Sequence, residues 1–82
     1  MSKVAVLFNV YPKEGMLDSA VSNIKKKLNP AALQTEEVAF GIKVIKVMFK
    51  FDDTETSSSK IEDSLRNVEG VGELEVAEEG LL

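Results

Sequence analysis

Neither cysteine nor histidine occurs in the 82 residues, and the two absences remove much of protein chemistry at once. Without thiols there is no disulfide staple and no thiolate nucleophile. Without imidazole there is no triad-type general base, and nearly every zinc or copper ligand set is gone. The 14 aspartates and glutamates leave open a carboxylate-only calcium or magnesium site, but no stretch has the spaced oxygen ligands and central glycine of a calcium loop. The sequence therefore points to no catalytic residue, no cofactor and no metal. A long membrane-type apolar run is missing too. Lys3 precedes Val4-Ala5-Val6-Leu7-Phe8, but Asn9, Tyr11 and Pro12 end that run well short of a secretory or spanning segment. The expectation is a cytoplasmic protein with no membrane contact. A chain of this size buries only roughly 60% of its unfolded surface on folding, which leaves room for one core and one domain over residues 1–82.

Positive charge is scarce overall, and the net charge of -4 argues against general nucleic-acid binding. The charge is unevenly spread. Residues 1–51 carry eight lysines against four acids, net +4, whereas residues 52–82 carry Lys60 and Arg66 against ten acids, net -8. Mutual neutralisation within one domain is the simpler reading of the two halves, and steering of a charged partner is the other.

What the chain does contain is pattern. Val4, Val6, Phe8 and Val10 alternate with Lys3, Ala5, Leu7, Asn9 and Tyr11, a strand with one fully apolar face and one half-apolar face. Such a strand belongs in a sheet covered by helices on one side and by solvent or a partner on the other. After the turn Pro12-Lys13-Glu14-Gly15, the residues Leu17, Ala20, Val21, Ile24 and Leu28 recur at helical spacing. Lys25, Lys26 and Lys27 suit the dipole of that helix's last turn, and Asn29-Pro30 stops it. Ala31 to Ala39 reads as a short strand feeding the longest apolar stretch, Val38 to Phe51, in which Ile45, Val47, Phe49 and Phe51 share the core face. Gly41 interrupts that stretch beside Phe40, which marks a bulge, a bend or a close backbone approach. Asp52 to Ser59 is a polar loop, and Ser59 with Glu62 fits a capping box, with Thr56 and Ser57 as alternative caps. Ile61, Leu65 and Val68 form the second helix's stripe, Glu69-Gly70-Val71-Gly72 ends it, and Leu74 and Val76 point to the core from a last strand, Glu73 to Ala77. Glu78 to Leu82 reads as a tail, docked or free.

The resulting order is strand, helix, strand, strand, helix, strand. It is the split unit of the ferredoxin-like α+β fold, βαββαβ, with a four-stranded antiparallel sheet and two helices on one face. This architecture hosts many functions, so the sites must decide among them. A metal carrier needs soft ligands in the first loop, and Tyr11 to Gly15 offers none. An RNA-recognition module would use Phe8 and Phe40-Gly41 as stacking positions, but Val38 stands where a basic residue is wanted and Ile42 where a second aromatic is wanted. A third alternative is a ligand-sensing or interaction domain in which Phe40 is an ordinary core residue at the start of a strand.

The order and spacing of several blocks favour another reading. Lys3-Val4-Ala5-Val6 with its Tyr11-Pro12 turn is followed by Ala39-Phe40-Gly41-Ile42-Lys43 and a long apolar strand. Then come Ile61-Glu62-Asp63-Ser64-Leu65 and Asn67-Val68-Glu69-Gly70-Val71. Over essentially its whole length the chain resembles the exchange domain of the translation elongation factor 1-beta family, in its small archaeal form. The resemblance implies a guanine-nucleotide exchange factor that promotes GDP release and GTP reloading on elongation factor 1-alpha. It would act by protein binding near the nucleotide and Mg2+ rather than as an enzyme. Its partner would be that GTPase in GDP-bound and nucleotide-free states, with no direct nucleic acid; the open edges and half-apolar face leave room for homo-oligomers. By the same resemblance Phe40 and Gly41 contact the GTPase, with Ile42 and Lys43 beside them, and the C-terminal end enters near the phosphate site. Eukaryotic members present a penultimate lysine there. This sequence has Leu81 and Leu82 at its end and no lysine after Lys60, so the implied tail contact is apolar.

Overall fold

The computed structural model describes residues 2–82. Six elements follow in the expected order: β1 (Lys3–Pro12), α1 (Leu17–Leu28), β2 (Ala32–Ala39), β3 (Ile42–Asp52), α2 (Ser58–Arg66) and β4 (Val71–Leu81). The strands form one antiparallel sheet in the order β2-β3-β1-β4. This is the ferredoxin-like α+β sandwich, and its two central strands are the two most apolar stretches of the chain.

The inward face follows from period-two alternation. Val6, Phe8 and Val10 of β1 lie opposite Phe49, Val47 and Ile45 of β3, and all six are buried in one cluster with Ala20 and Ile24 of α1 and Leu65 of α2. Both helices therefore cover the same face. Phe8 and Phe49 meet edge to face with ring centroids 6.0 Å apart, an arrangement aromatic quadrupoles favour. The loop after α2 closes against α1. The Lys13 amide donates to the Gly70 carbonyl at 2.8 Å, and Gly70, at φ 99°, brings its backbone so close to Ala20 that a Cβ there would lie 3.1 Å from the Ala20 nitrogen.

Several expectations change on contact with the structure. The stretch from Val38 to Phe51 is not one strand: Val38 and Ala39 belong to β2, Phe40-Gly41 is a two-residue turn, and β3 begins at Ile42. Ser57, not Ser59, caps α2, its hydroxyl accepting from the Lys60 amide at 3.3 Å. The residue three positions on is then a lysine, and no capping box forms. The supposed tail is strand. β4 runs to Leu81, and the Leu82 amide donates to the Lys3 carbonyl at 2.9 Å. A register shift between the Glu78 and Val76 pairings reverses the facing halfway along β4. Ahead of that shift Leu74 and Val76 lie opposite Val10 and Phe8 on the helix-covered face, as expected; Leu74 is buried, and Val76 on this edge strand is 41% exposed.

The ion pairs among the described residues are Lys46–Glu36 at 3.2 Å and Arg66–Glu62 at 3.0 Å. Each lies within one half of the chain. No ion pair among the described residues joins the basic and acidic halves; they meet where Lys3 lies opposite Asp52, whose carboxyl it helps to hold below its ordinary pKa. Both sheet edges carry acids, Glu36 and Glu37 on β2 and Glu73 to Glu79 on β4, so like charge opposes edge-to-edge pairing of two copies. Among the described residues no helix is long and apolar enough to cross a membrane.

Candidate functional site

The turn that joins β2 to β3 places two residues, Phe40 and Gly41, between the paired Ala39 and Ile42. Right-handed strand twist is matched by two-residue loops of type I′ or II′, and positive φ at both central residues is the type I′ geometry, in which Asn-Gly is preferred. Here φ is 33° at Phe40 and 83° at Gly41. Glycine meets that requirement without steric cost, and phenylalanine does not. The Phe40 side chain gains no burial in return, because its relative exposure is 105%. A bulky aromatic thus sits in a disfavoured backbone region at the apex of a hairpin, with its ring in solvent. Outliers of this kind concentrate at functional sites. Gly41 has nothing within 4 Å of where a Cβ would be, so the turn itself accounts for it.

Around the apex, Val38 and Ile42 are also exposed, and Val38 falls at a register shift in the β2–β3 ladder. The hairpin faces the loop between β1 and α1. Phe40, Ile42 and Lys43 on one wall and Pro12, Lys13 and Leu17 on the other line a cleft of about 450 Å³. The hairpin residues expected from sequence, Phe40, Gly41, Ile42 and Lys43, therefore do share one site. Sequence reasoning missed its second wall, which only the sheet topology brings there.

Leu81 and Leu82 are elsewhere. Leu81 pairs with Val4 at the start of β1, whereas the hairpin projects beyond Ile45, which pairs with Val10 near the end of β1. At about 3.3 Å per residue the two groups are about 30–35 Å apart, in a molecule whose longest extent is 42 Å. The structure does not bring the six residues together but sets them at opposite ends of the sheet. Both leucines are exposed, at 74% and 69%, on a backbone held in the β4 ladder. They border a second cleft, of about 510 Å³, with Ala5, Leu7, Met48 and Gly80. At the same end the Ser58 hydroxyl and the Glu79 carboxylate are hydrogen-bonded and tie α2 to β4.

Electrostatics along the sheet are simple. The Tyr11 hydroxyl donates to Glu75 Oε1 at 3.1 Å; this bond, with partial desolvation and the carboxylate's charge, raises the phenol's pKa. The Asp52 carboxyl accepts from the amide and hydroxyl of Thr54 at 3.0 and 2.8 Å. Those bonds, the backbone one first, and the charge of Lys3 lower its pKa. Neither group lies in a cleft arranged for proton transfer. Among the described residues no group of three or more aspartates and glutamates is placed to hold a metal ion.

The RNA-recognition alternative does not fit this geometry. It needs aromatics on the uncovered sheet face, whereas Phe8 is 0% exposed beneath the helices and Phe40 stands in a turn. The alternative in which Phe40 is core is overturned by its exposure.

Exposed apolar contact points at both ends of a ferredoxin-like sandwich are the features of a protein-binding module, since each can bury area on a partner without local refolding. Residues 5–81 match the EF-1 guanine nucleotide exchange domain, and the chain belongs to that family. It is 37% identical to a protein of Aeropyrum pernix named elongation factor 1-beta, over 93% of this chain and 92% of that one. Proteins of the same name from Ignicoccus hospitalis (40% identical, 93% and 88% covered) and Thermoplasma volcanium (32%, 90% and 91%) are similar over comparable spans. The function of the chain is guanine-nucleotide exchange on the EF-1 GTPase.

Proposed function

We propose that residues 1–82 form a single exchange domain that binds elongation factor 1-alpha in the cytoplasm and accelerates GDP release by holding the nucleotide-free GTPase more tightly than the GDP-bound one. No covalent bond is made or broken. The coupling is thermodynamic: whatever factor GDP takes from the affinity of this chain for the GTPase, the chain takes from the affinity of the GTPase for GDP. The observation that carries the reading is Phe40, a fully exposed aromatic at φ 33°, in a chain of the exchange-domain family. Strain held in place with no packing return is accounted for by a gain that arises only on binding.

The division of labour follows the two ends. Phe40 and Ile42 supply apolar anchors, Gly41 supplies the turn, and Lys43 with Lys13 supplies positive charge at the rim of the hairpin cleft. Leu81 and Leu82 make an apolar contact at the other end, in place of an ammonium. The 30–35 Å between them, at ~3.3 Å per strand residue, suits two separated footholds on one large partner. The test is linkage. Affinity for elongation factor 1-alpha is measured by calorimetry or anisotropy with the GTPase stripped of nucleotide and again saturated with GDP. The reading expects at least tenfold tighter binding to the stripped form; equal affinity for both would overturn it.

A further inference from the structure

The helices cover one face of the sheet, and the other is open. Cross-strand pairing fixes what the open face carries, because directly opposed residues share a face. Read from β4 through β1 to β3, one row across it is Gly80, Ala5 and Lys50, and the next is Glu78, Leu7 and Met48. A third row is Glu75, Asn9 and Lys46. The charges therefore form columns along the strands, acidic on β4 and basic on β3, with the neutral β1 column between them. Glu75, Glu78 and Lys50 are exposed, and Leu7 and Met48 are only half-buried, with no element above them. The bulge in β4 is what places Glu78 here, since strict alternation from Leu74 would turn it inward.

A face banded in this way is complementary to itself. When two copies lay their open faces together about a two-fold axis parallel to β1, each β4 column lies over the β3 column of the other copy. Glu75 then faces Lys46 of the second copy in the same row, and Glu78 falls between its Lys46 and Lys50. Gly80, with nothing within 4 Å of its would-be Cβ, leaves room for the Lys50 stem, while Ala5 and Leu7 meet their own counterparts on the axis. An axis running across the strands would instead set carboxylates on carboxylates and lysines on lysines, which costs affinity. Charge thus selects one of the two arrangements. Four strands at about 4.8 Å and the seven residues from Ala5 to Tyr11 at about 3.3 Å give a face of roughly 19 by 23 Å. Two such footprints bury roughly 900 Å² before side-chain relief is added, close to the roughly 1,000 Å² at which specific interfaces begin. A dimer of that size is reversible.

We propose that the open face is the interface of an isologous homodimer, in which Glu75 and Glu78 of each copy meet Lys46 and Lys50 of the other over a floor of Ala5 and Leu7. The acidic edges oppose edge-to-edge pairing, whereas the face carries both signs of charge. Lys46 already pairs with Glu36 at 3.2 Å, and Glu75 accepts the Tyr11 hydroxyl through Oε1. The other oxygen of Glu75 therefore meets an ammonium shared with Glu36. Lys50 forms no ion pair among the described residues and is free for Glu78. An axis parallel to β1 keeps both Phe40 turns at one end of the dimer and both Leu81 residues at the other. Each hairpin projects past the end of the sheet, so two of them stand side by side, uncovered by the interface. The inference is independent of the exchange function, since its only partner is a second copy of this chain.

The test is a charge swap read by sedimentation velocity. The mass of the wild type should rise from one chain toward two between about 10 μM and 1 mM at low salt. The variant Glu75→Lys/Glu78→Lys makes both columns basic, and Lys46→Glu/Lys50→Glu makes both acidic. Each alone should self-associate at least about tenfold more weakly than the wild type, and their equimolar mixture should recover the wild-type dimer, because opposite charges face one another again. That recovery also separates repulsion from misfolding, and circular dichroism checks each fold. The arrangement is read by pulsed electron resonance on Phe40→Cys, whose single thiol takes a spin label in a chain without cysteine. Two hairpins at one end place the labels about 20 Å apart, whereas hairpins at opposite ends place them about 50 Å apart. A wild type that stays monomeric at about 1 mM would overturn the inference. So would variants that associate as the wild type does, a mixture that stays monomeric, or labels at the longer distance.

Discussion

Phe40→Asn sets the stability of the hairpin against the recognition assigned to it. Burial of a phenylalanine in a core is worth roughly 3–5 kcal/mol when it is cut to alanine, but the Phe40 ring is fully exposed, and none of that is lost on its removal. On the opposite side stands the backbone. A bulky L-residue in the left-handed region costs on the order of 1–2 kcal/mol, and φ at Phe40 is 33°. Asparagine tolerates that region and, followed by Gly41, restores the preferred type I′ pair. Recovering about 0.5–1 kcal/mol would raise the melting temperature by a few degrees, since about 1 kcal/mol corresponds to roughly 4–8 °C in a domain of this size. Loss of an aromatic anchor from an interface costs about 2 kcal/mol or more, roughly thirtyfold in Kd. Scanning calorimetry and a titration against nucleotide-free elongation factor 1-alpha read the two quantities separately. A melting temperature that is unchanged or raised, with binding weakened thirtyfold, is the expected pair. A fall of more than 10 °C with unchanged binding would refute the reasoning, because it would put the ring in the core and not in the interface.

Gly70→Ala should lower stability by about 1–3 kcal/mol, since φ is 99° and the added Cβ would press on the Ala20 backbone, whereas Gly80→Ala, with open space around it, should leave the melting curve in place. Ser57→Ala should cost about 1 kcal/mol through loss of the α2 cap, and Ser59→Ala close to nothing; paired chemical denaturation curves distinguish them. Stability should also depend on pH at both extremes. The folded-state pKa of Asp52 is lowered, so its contribution is present above the unfolded value of about 3.9 and is lost as pH falls through the folded one. Tyr11 is raised, so its contribution is present below about 10 and is lost as pH rises through the folded value. Asp52→Asn and Tyr11→Phe should flatten the acid and alkaline limbs of the melting-temperature profile respectively.

Much of the fold was legible because alternation and helical spacing are physical requirements. Val6, Phe8 and Val10 had to face one way, and so did Ile45, Val47 and Phe49. What escaped were features where two requirements compete. A run of apolar β-formers from Val38 to Phe51 reads as one strand, and only the sharing of β2 and β3 in one hairpin reveals that Phe40 and Gly41 are its turn. Phenylalanine is not a residue that turn chemistry predicts, so the strained apex was hidden by the same side chain that makes it useful. The bulge near Ala77 left no mark in the sequence. It leaves Val76 opposite Phe8 and turns Glu78 onto the open face. Val44, buried at 2% on the face away from the helices, was likewise absent from the expected core. Of the site, the hairpin residues were found by resemblance and are united by the structure. The opposing wall at Pro12, Lys13 and Leu17 needed the topology, and so did the distance to Leu81 and Leu82.

Release of a fluorescent GDP analogue from the cognate elongation factor 1-alpha, followed by stopped flow in excess unlabelled nucleotide, addresses the central claim most directly. With increasing amounts of this chain the release rate should climb and saturate, and Phe40→Asn should shift the half-saturating concentration upward by at least tenfold. A release rate that stays at its spontaneous value at micromolar concentrations of the wild-type chain would contradict the account.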